Sequence, residues 1–207
     1  MMRRARKIAV FGGTFDPIHF GHLIVSEEVR NKLGLEEVLF LPAGQPGLKA
    51  STPISPAKHR LEMVRLAIAD NPHFQLSTAE VDRPGPSYAV DTMDELRRRL
   101  GSEVKLFFLL GSDCLGELPQ WKEPRRLIQL CRLVVFTRPG FSLPPMEGLE
   151  VAIPGLAKNS VSVQVTQVDI SATEIRRRVA QGASVRQFVP LAVEKYILEQ
   201  GLYRKPS

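Results

Sequence analysis

Runs of adjacent apolar residues and stretches with one apolar position every three or four residues take turns along this chain, and each switch marks an element boundary. Lys7-Ile-Ala-Val-Phe11 is a short apolar run with β-branched residues, whereas Leu23 to Leu33 places Val25, Val29 and Leu33 at helical spacing. A strand, a turn at Gly12 and Gly13, and a helix capped by Gly34 follow from that pattern. Val38-Leu-Phe-Leu41 predicts a second buried strand, which makes a β-α-β unit of the first 42 residues. From Pro42 to Pro56 four prolines and two glycines predict a loop, long enough that binding is the expected role. The next helix is expected from about Pro56 to Ala69, with Leu61, Val64 and Ile68 on one face and Pro56 in its first turn.

Phe74 to Val81 predicts a strand or strand pair closed by Arg83-Pro-Gly-Pro86, after which Ser87 is the expected N-cap of a helix through Leu100, with Met93, Leu96 and Leu100 turned inward. Val104-Lys-Leu-Phe-Phe-Leu-Leu110 is the most apolar strand candidate and ends in Gly111-Ser-Asp113; Leu133-Val-Val-Phe136 ends in Thr137-Arg-Pro-Gly140. Polar groups just past the carboxyl end of a central parallel strand are where open α/β sheets bind ligands. Residues 141–168 predict irregular chain with short strands around Val151 and Val163. Ser171 and Glu174 fit an S-x-x-E capping box at the start of a helix running through Arg176, and a last helix is expected from about Pro190 to Gln200, stopped by Gly201. Alternating strands and helices give an α/β fold with a doubly wound, mostly parallel sheet.

Composition narrows the class. A chain of 207 residues with 43% hydrophobic residues is sized for one domain with one sizeable core, the helices of about 170–201 packing on it. The basic start Met1 to Lys7 runs straight into a strand without the apolar region of a secretory signal, and no apolar run reaches the ~20 residues of a membrane span. Cys114 and Cys131 lack C-x-x-C spacing, so reduced thiols and a cytoplasmic location are expected, with no membrane partner. A net charge of +6 favours polyanionic partners, from nucleic acid to small phosphate esters. The arginines at 97–99 and 176–178 lie on predicted amphipathic helices, where a solvated face is the expected role of most of them, with no nucleic-acid partner expected.

The stretch Val10-Phe-Gly-Gly-Thr-Phe-Asp-Pro-Ile-His-Phe-Gly-His22 carries the chemistry. Gly12 and Gly13 allow close backbone approach to a ligand, and the following helix directs unpaired N–H groups and a positive dipole end to the same place, an arrangement suited to phosphate. His19 and His22, three residues apart, can donate to one anion. The turn lacks the third glycine of G-x-G-x-x-G and the Gly-Lys-Ser/Thr of a P-loop. Other uses of these residues remain open at this level. The glycines could form only a tight turn with the histidines capping the helix, or Asp16, His19 and His22 could ligate a metal.

The G-G-T-F-D-P-I-H-F-G-H string resembles the signature of the nucleotidylyltransferase superfamily. Gly85-Pro-Ser-Tyr-Ala-Val-Asp-Thr92, Leu110-Gly-Ser-Asp113, Leu118-Pro-Gln-Trp121, Arg138-Pro-Gly140 and Ile170-Ser-Ala-Thr-Glu-Ile-Arg176 extend the likeness over essentially the whole chain, toward the bacterial nicotinate-nucleotide adenylyltransferases. The resemblance implies a Rossmann-like fold and transfer of the adenylyl group of ATP to nicotinate mononucleotide, giving deamido-NAD and pyrophosphate. An alternative is another phosphorylated acceptor such as nicotinamide mononucleotide. It implies His19, His22 and Arg176 as catalytic donors. Gly12, Gly13, Thr14, Phe15, Gly111, Asp113, Ile170, Ser171 and Thr173 would surround ATP, and Lys49, Ser87, Tyr88, Asp91, Trp121 and Arg138 the acceptor. Mg²⁺ would accompany ATP, with no ligand from protein side chains. The partners implied are those two small molecules, and a homo-oligomer is left open.

This chain departs from the family pattern at Pro46-Gly-Leu-Lys49, where the usual histidine before the lysine is absent, and at Ala89, Lys122 and Ala172. These departures fall mainly on the acceptor side.

Overall fold

The computed structural model describes residues 5–46, 54–137 and 142–204. Six strands form one sheet: β1 (Lys7–Gly13), β2 (Glu37–Pro42), β4 (Phe74–Leu76), β6 (Lys105–Gly111), β7 (Arg132–Phe136) and β8 (Ser160–Val163), in the order β4-β2-β1-β6-β7-β8. Every neighbouring pair is parallel, with Val10 opposite Leu39 on one side and Phe108 on the other. Two short strands, β3 (Gln45–Pro46) and β5 (Pro86–Ser87), pair separately.

Parallel strands need crossovers, and here helices supply them on both faces. The period of two along β1 sends Ala9 and Phe11 to one face and Ile8 and Val10 to the other. The first face is covered by α1 (Phe20–Leu33), α2 (Ala57–Ile68), α7 (Ala172–Ala180) and α8 (Leu191–Glu199), through Val25 and Val29, Met63 and Val64, Ile175 and Val179, and Val193 and Ile197. The second is covered by α3 (Ala89–Leu100), α4 (Ser112–Leu115), α5 (Pro124–Leu130) and α6 (Met146–Ala152), through Met93, Leu96, Leu115, Leu127 and Leu149. Counted within the main sheet the strand order is 3-2-1-4-5-6, so the winding reverses between β1 and β6. The connection leaving β1 covers one face and that leaving β6 the other, which opens a crevice at their carboxyl ends.

Several elements differ from the sequence expectation. Helix α1 begins at Phe20, three residues before Leu23, because His19 is its N-cap. Ser87 does not cap α3: it lies in β5, its hydroxyl accepts the Gly44 N–H at 2.9 Å, and Tyr88 takes the cap position. The strand at Phe74 stops at Leu76, since the Val81 and Asp82 amides turn back to the Thr78 carbonyl. Val151, expected near a short strand, belongs to α6 and is 80% exposed, an apolar residue on the solvent side of a helix. Helices α4 and α5 and a 3₁₀ turn at Leu118–Gln120 fill a stretch for which periodicity gave no expectation.

Candidate active site

The glycine turn leaves β1 at the crevice and is held in shape from behind. A Cβ on Gly13 would lie 3.1 Å from the Phe15 ring, and one on Gly12 would lie 3.4 Å from Phe108, so both positions carry the backbone close over aromatic rings. Phe15 has φ +50°, a left-handed conformation that costs an ordinary residue about 1–2 kcal/mol. Its ring offsets this by edge contacts with Phe11 at 5.8 Å and His22 at 5.0 Å, and it is 2% exposed. The Asp16 carboxylate accepts from the Tyr203 hydroxyl at 2.6 Å and from the Ser55 amide at 3.1 Å. Burial and the neighbouring Asp16 charge push the Tyr203 phenol well above its ordinary value, so it stays protonated and donates.

Both histidines sit at the first turn of α1. His19 is the N-cap with extended backbone and is buried; His22 is three residues on, and the two rings stack with centroids 3.7 Å apart. The His19 backbone N–H donates to His22 Nδ1 at 3.2 Å. An accepting Nδ1 leaves the ring proton on Nε2, so this bond fixes the tautomer that offers an N–H away from the helix. Gly21 permits the stack, because a Cβ there would come within 3.1 Å of the His19 ring. The same position lies 3.9 Å from Ile170 Cβ, which brings the start of α7 beside the start of α1.

At α7 the expected capping box forms by half. Ser171 Oγ accepts the Glu174 N–H at 3.2 Å, while the Glu174 carboxylate turns to Arg177 and Arg178. Hydrogen bonding by Arg177 holds that carboxyl down near 2. Arg176 points the other way: Nη1 donates to the Asp16 carbonyl at 2.7 Å and Nη2 to Thr173 Oγ1 at 3.3 Å. Arg177 is exposed, and Arg178 lies over the Phe188 ring at 4.7 Å. From the facing strand, Gly111 and the half-buried Asp113 stand at the carboxyl end of β6 and in the first turn of α4.

A second group of side chains gathers at the start of α3. Lys122 pairs with Asp91 at 2.9 Å and lies 4.9 Å from the centre of the Tyr88 ring; the Asp91 contact raises the lysine pKa. Trp121 packs edge-on against Phe108 at 6.1 Å and is half-buried. The two groups are contiguous through the end of β2: the Ala43 N–H donates to the Gly13 carbonyl at 2.9 Å, and the next residue, Gly44, donates to Ser87 Oγ. Lys49 and Arg138 lie outside the described residues.

The metal reading of the histidine pair finds no support in this geometry. The Asp16 carboxylate is taken up by Tyr203 and Ser55, and among the described residues no three His, Cys, Asp or Glu side chains converge. Arg60 and Tyr203 are absent from the sequence reading. Arg60 had a signal in the pattern, since it stands four and eight residues before Val64 and Ile68 on the apolar face of α2, where a cation must find partners. Tyr203 had none, because its contact with Asp16 spans nearly the whole chain.

A sequence model of the family described as cytidylyltransferase-like matches residues 10–178. The chain is 46% identical over 197 residues to a probable nicotinate-nucleotide adenylyltransferase of Dehalococcoides mccartyi, covering 95% of this chain and 97% of that one. It is 48% identical to the protein of the same name in Thermomicrobium roseum, covering 96% and 92%, and 46% identical to that of Thermus thermophilus, covering 96% and 100%. Among solved structures, a nicotinic acid mononucleotide adenylyltransferase of Plasmodium falciparum, complexed with NaAD, superposes with a TM-score of 0.78 at 18% identity, covering 96% and 97%. At that identity the likeness speaks for the fold.

Proposed function

Since the chain belongs to the cytidylyltransferase-like family and, within it, to the nicotinate-nucleotide adenylyltransferases, we infer that it joins ATP and nicotinate mononucleotide into deamido-NAD and pyrophosphate. The observation that carries the residue-level reading is the stacked histidine pair at the start of α1, with the His22 tautomer set by the His19 N–H, beside the glycine turn in the β1–β6 crevice.

An oxygen of the acceptor 5′-phosphate attacks the α-phosphorus of ATP; that P–O bond forms as the bond from the α-phosphorus to the bridging oxygen breaks, and pyrophosphate leaves with the electron pair. A phosphate monoester with a second pKa near ~6 is already largely ionised at neutral pH, so no protein base is needed. The protein's part is positioning and neutralisation of the charge that builds on the leaving group. The His22 Nε2–H, the His19 ring, the remaining N–H groups of Arg176 and the start of α1 are the donors for the triphosphate, with Gly12, Gly13, Thr14, Phe15, Gly111, Asp113, Ile170, Ser171 and Thr173 around ATP. Ser87, Tyr88, Asp91 and Trp121 would take the mononucleotide, Trp121 offering a stacking surface for the pyridine ring.

Mg²⁺ fits this site as a companion of ATP: held by the nucleotide's phosphate oxygens and water, it would supply charge neutralisation for the leaving group. The donor set supports that form, because Asp16, the carboxylate of the phosphate turn, already carries two hydrogen bonds. Among the described residues no helix is long and apolar enough to cross a membrane. We read the chain as one domain acting on small molecules in the cytoplasm.

The test is pyrophosphate release from Mg·ATP with a panel of phosphorylated acceptors. Release with nicotinate mononucleotide at the highest kcat/KM is expected. A higher value with nicotinamide mononucleotide or another phosphate ester would replace the acceptor, and no release with any would remove the reading.

A further inference from the structure

We propose that Arg60 is a positioning residue that holds the phosphate turn and the acceptor-side helix α3 in register, through Gly44. The proposal rests on the assignment of the Thr14 turn to ATP and of α3 to the acceptor.

Arg60 is 2% exposed, and its guanidinium spends its donors on three separate backbone segments: Nη1 on the Thr14 carbonyl at 2.9 Å, Nη2 on the Gly44 carbonyl at 3.2 Å and Nε on the Ser55 carbonyl at 3.0 Å. A buried cation is expensive to desolvate, and an apolar side chain of similar volume would serve packing as well. Burial lowers its pKa, with the nearby Asp16 charge acting in the opposite direction. What an apolar residue could not supply is a rigid planar fork that fixes three carbonyls relative to one another.

Gly44 passes the constraint on. Its carbonyl accepts from Arg60 while its N–H donates to Ser87 Oγ at 2.9 Å, and a Cβ at this position would collide with the Glu80 carbonyl oxygen. The Ser87 hydroxyl also lies close enough to the buried Glu80 carboxylate to stabilise its charged form, that carboxylate accepts from Thr92 Oγ1 at 2.9 Å, and Thr92 lies near the start of α3. Burial raises the Glu80 pKa, against the lowering by Thr92 and Ser87. Hydrogen bonds thus join Thr14, Arg60, Gly44 and Ser87 on one side and Glu80 and Thr92 on the other, with the Ser87–Glu80 interaction between them. The bonds are directional, the Arg60 and Glu80 side chains at their centre are buried, and displacement at one end is passed to the other. In-line attack needs the acceptor phosphate and the α-phosphorus aligned, and misplacement on the order of 1 Å can cost roughly 10²-fold. A link between the two substrate segments is where such alignment is set.

The experiment compares Arg60→Lys, Ser87→Ala and the double variant with Ile68→Ala, a core change on the same helix that sets how much loss follows from lower stability alone. Hydrogen exchange of the substrate-free protein reads the link without reference to activity: the Gly44 amide should exchange about tenfold faster in Arg60→Lys and stay protected in Ile68→Ala. In kinetics, Arg60→Lys should lower kcat by about 10-fold or more. Ser87→Ala, although on the acceptor side, should raise KM for ATP. The double variant should stay within about 2-fold of the worse single, since both changes cut one chain of bonds. Unchanged Gly44 exchange, an unchanged ATP KM in Ser87→Ala, or losses that multiply in the double variant would overturn the proposal. If Arg60→Lys does not fold, the ATP KM of Ser87→Ala decides alone. A wild-type protein without adenylyl transfer would defeat the functional reading instead, and the exchange result would still report on the link.

Discussion

Replacing His22 separates a structural role from a catalytic one, because its two ring nitrogens have different jobs. Nδ1 accepts the His19 N–H at 3.2 Å and so helps to cap α1, while Nε2 carries the proton that the proposed mechanism offers to phosphate. In His22→Ala both are lost, together with the ring's edge contacts to Phe11 at 5.7 Å and Phe15 at 5.0 Å. A lost cap costs about 1 kcal/mol and each of the two aromatic contacts roughly 0.5–1.5 kcal/mol, so the fold should lose about 2–4 kcal/mol. For a chain of this length that is a fall in Tm of roughly 5–15 °C. His22→Asn keeps an oxygen able to accept the His19 N–H and should lose only the ring packing, about 1–3 kcal/mol and about 1 kcal/mol less than His22→Ala. Both variants lack the Nε2 donor, so both should lose about 10²–10³ in kcat, the range for one preorganised transition-state donor. Thermal melts beside pyrophosphate release at saturating ATP and acceptor make the comparison. Recovery of near-wild-type kcat in His22→Asn, with His22→Ala still impaired, would show that His22 acts as a cap and would refute the donor role.

Three further outcomes follow from the geometry. Arg176→Lys should impair turnover more than Arg177→Ala, because the Arg176 fork spans Asp16 and Thr173 while Arg177 bonds Glu174 and Gln181 of its own helix neighbourhood on an exposed face; the reverse order of kcat values would place the wrong arginine at the site. Nicotinate mononucleotide should exceed the amide form by at least ~10-fold in kcat/KM, a difference of about 1.4 kcal/mol. With Lys122 already paired to Asp91, the donors expected to make this distinction are the first-turn backbone amides of α3, so Trp121→Ala should weaken both acceptors without changing their ratio, which competing-substrate assays would show. Glu27 is held near 2, chiefly by its hydrogen bonds with Arg30, well below its unfolded value of 4.5. Its stabilisation is therefore full above that unfolded value and lost as pH falls toward 2, so Glu27→Gln should lower Tm at pH 7 and leave it unchanged near pH 2; a Tm difference independent of pH would contradict the linkage.

The parallel sheet was legible because its strands are near-continuous apolar runs, as sheets covered on both faces require: Ile8 to Phe11, Val38 to Leu41 and Leu106 to Leu110 are buried. The segment from Cys114 to Leu130 was not, since α4 and the 3₁₀ turn are too short to show a helical period and α5 repeats its apolar face for only two turns. At Ser87 local chemistry favoured a cap, but the Gly44 amide, 43 residues away, claimed the hydroxyl. The glycine turn running into the histidine-capped helix could be read because glycines and histidines at fixed spacing carry their own reasons. What braces it could not, because Arg60, Ser55 and Tyr203 reach it from distant parts of the chain.

The most direct test of the central claim follows the α-phosphate of ATP. With ATP labelled at that position, Mg²⁺ and nicotinate mononucleotide, the label is predicted to appear in a dinucleotide with the mass of deamido-NAD, matched one for one by unlabelled pyrophosphate, and to depend on His22 and Arg176. Label released as AMP, or retained in ADP with inorganic phosphate as the other product, would show hydrolysis in place of adenylyl transfer and contradict the account.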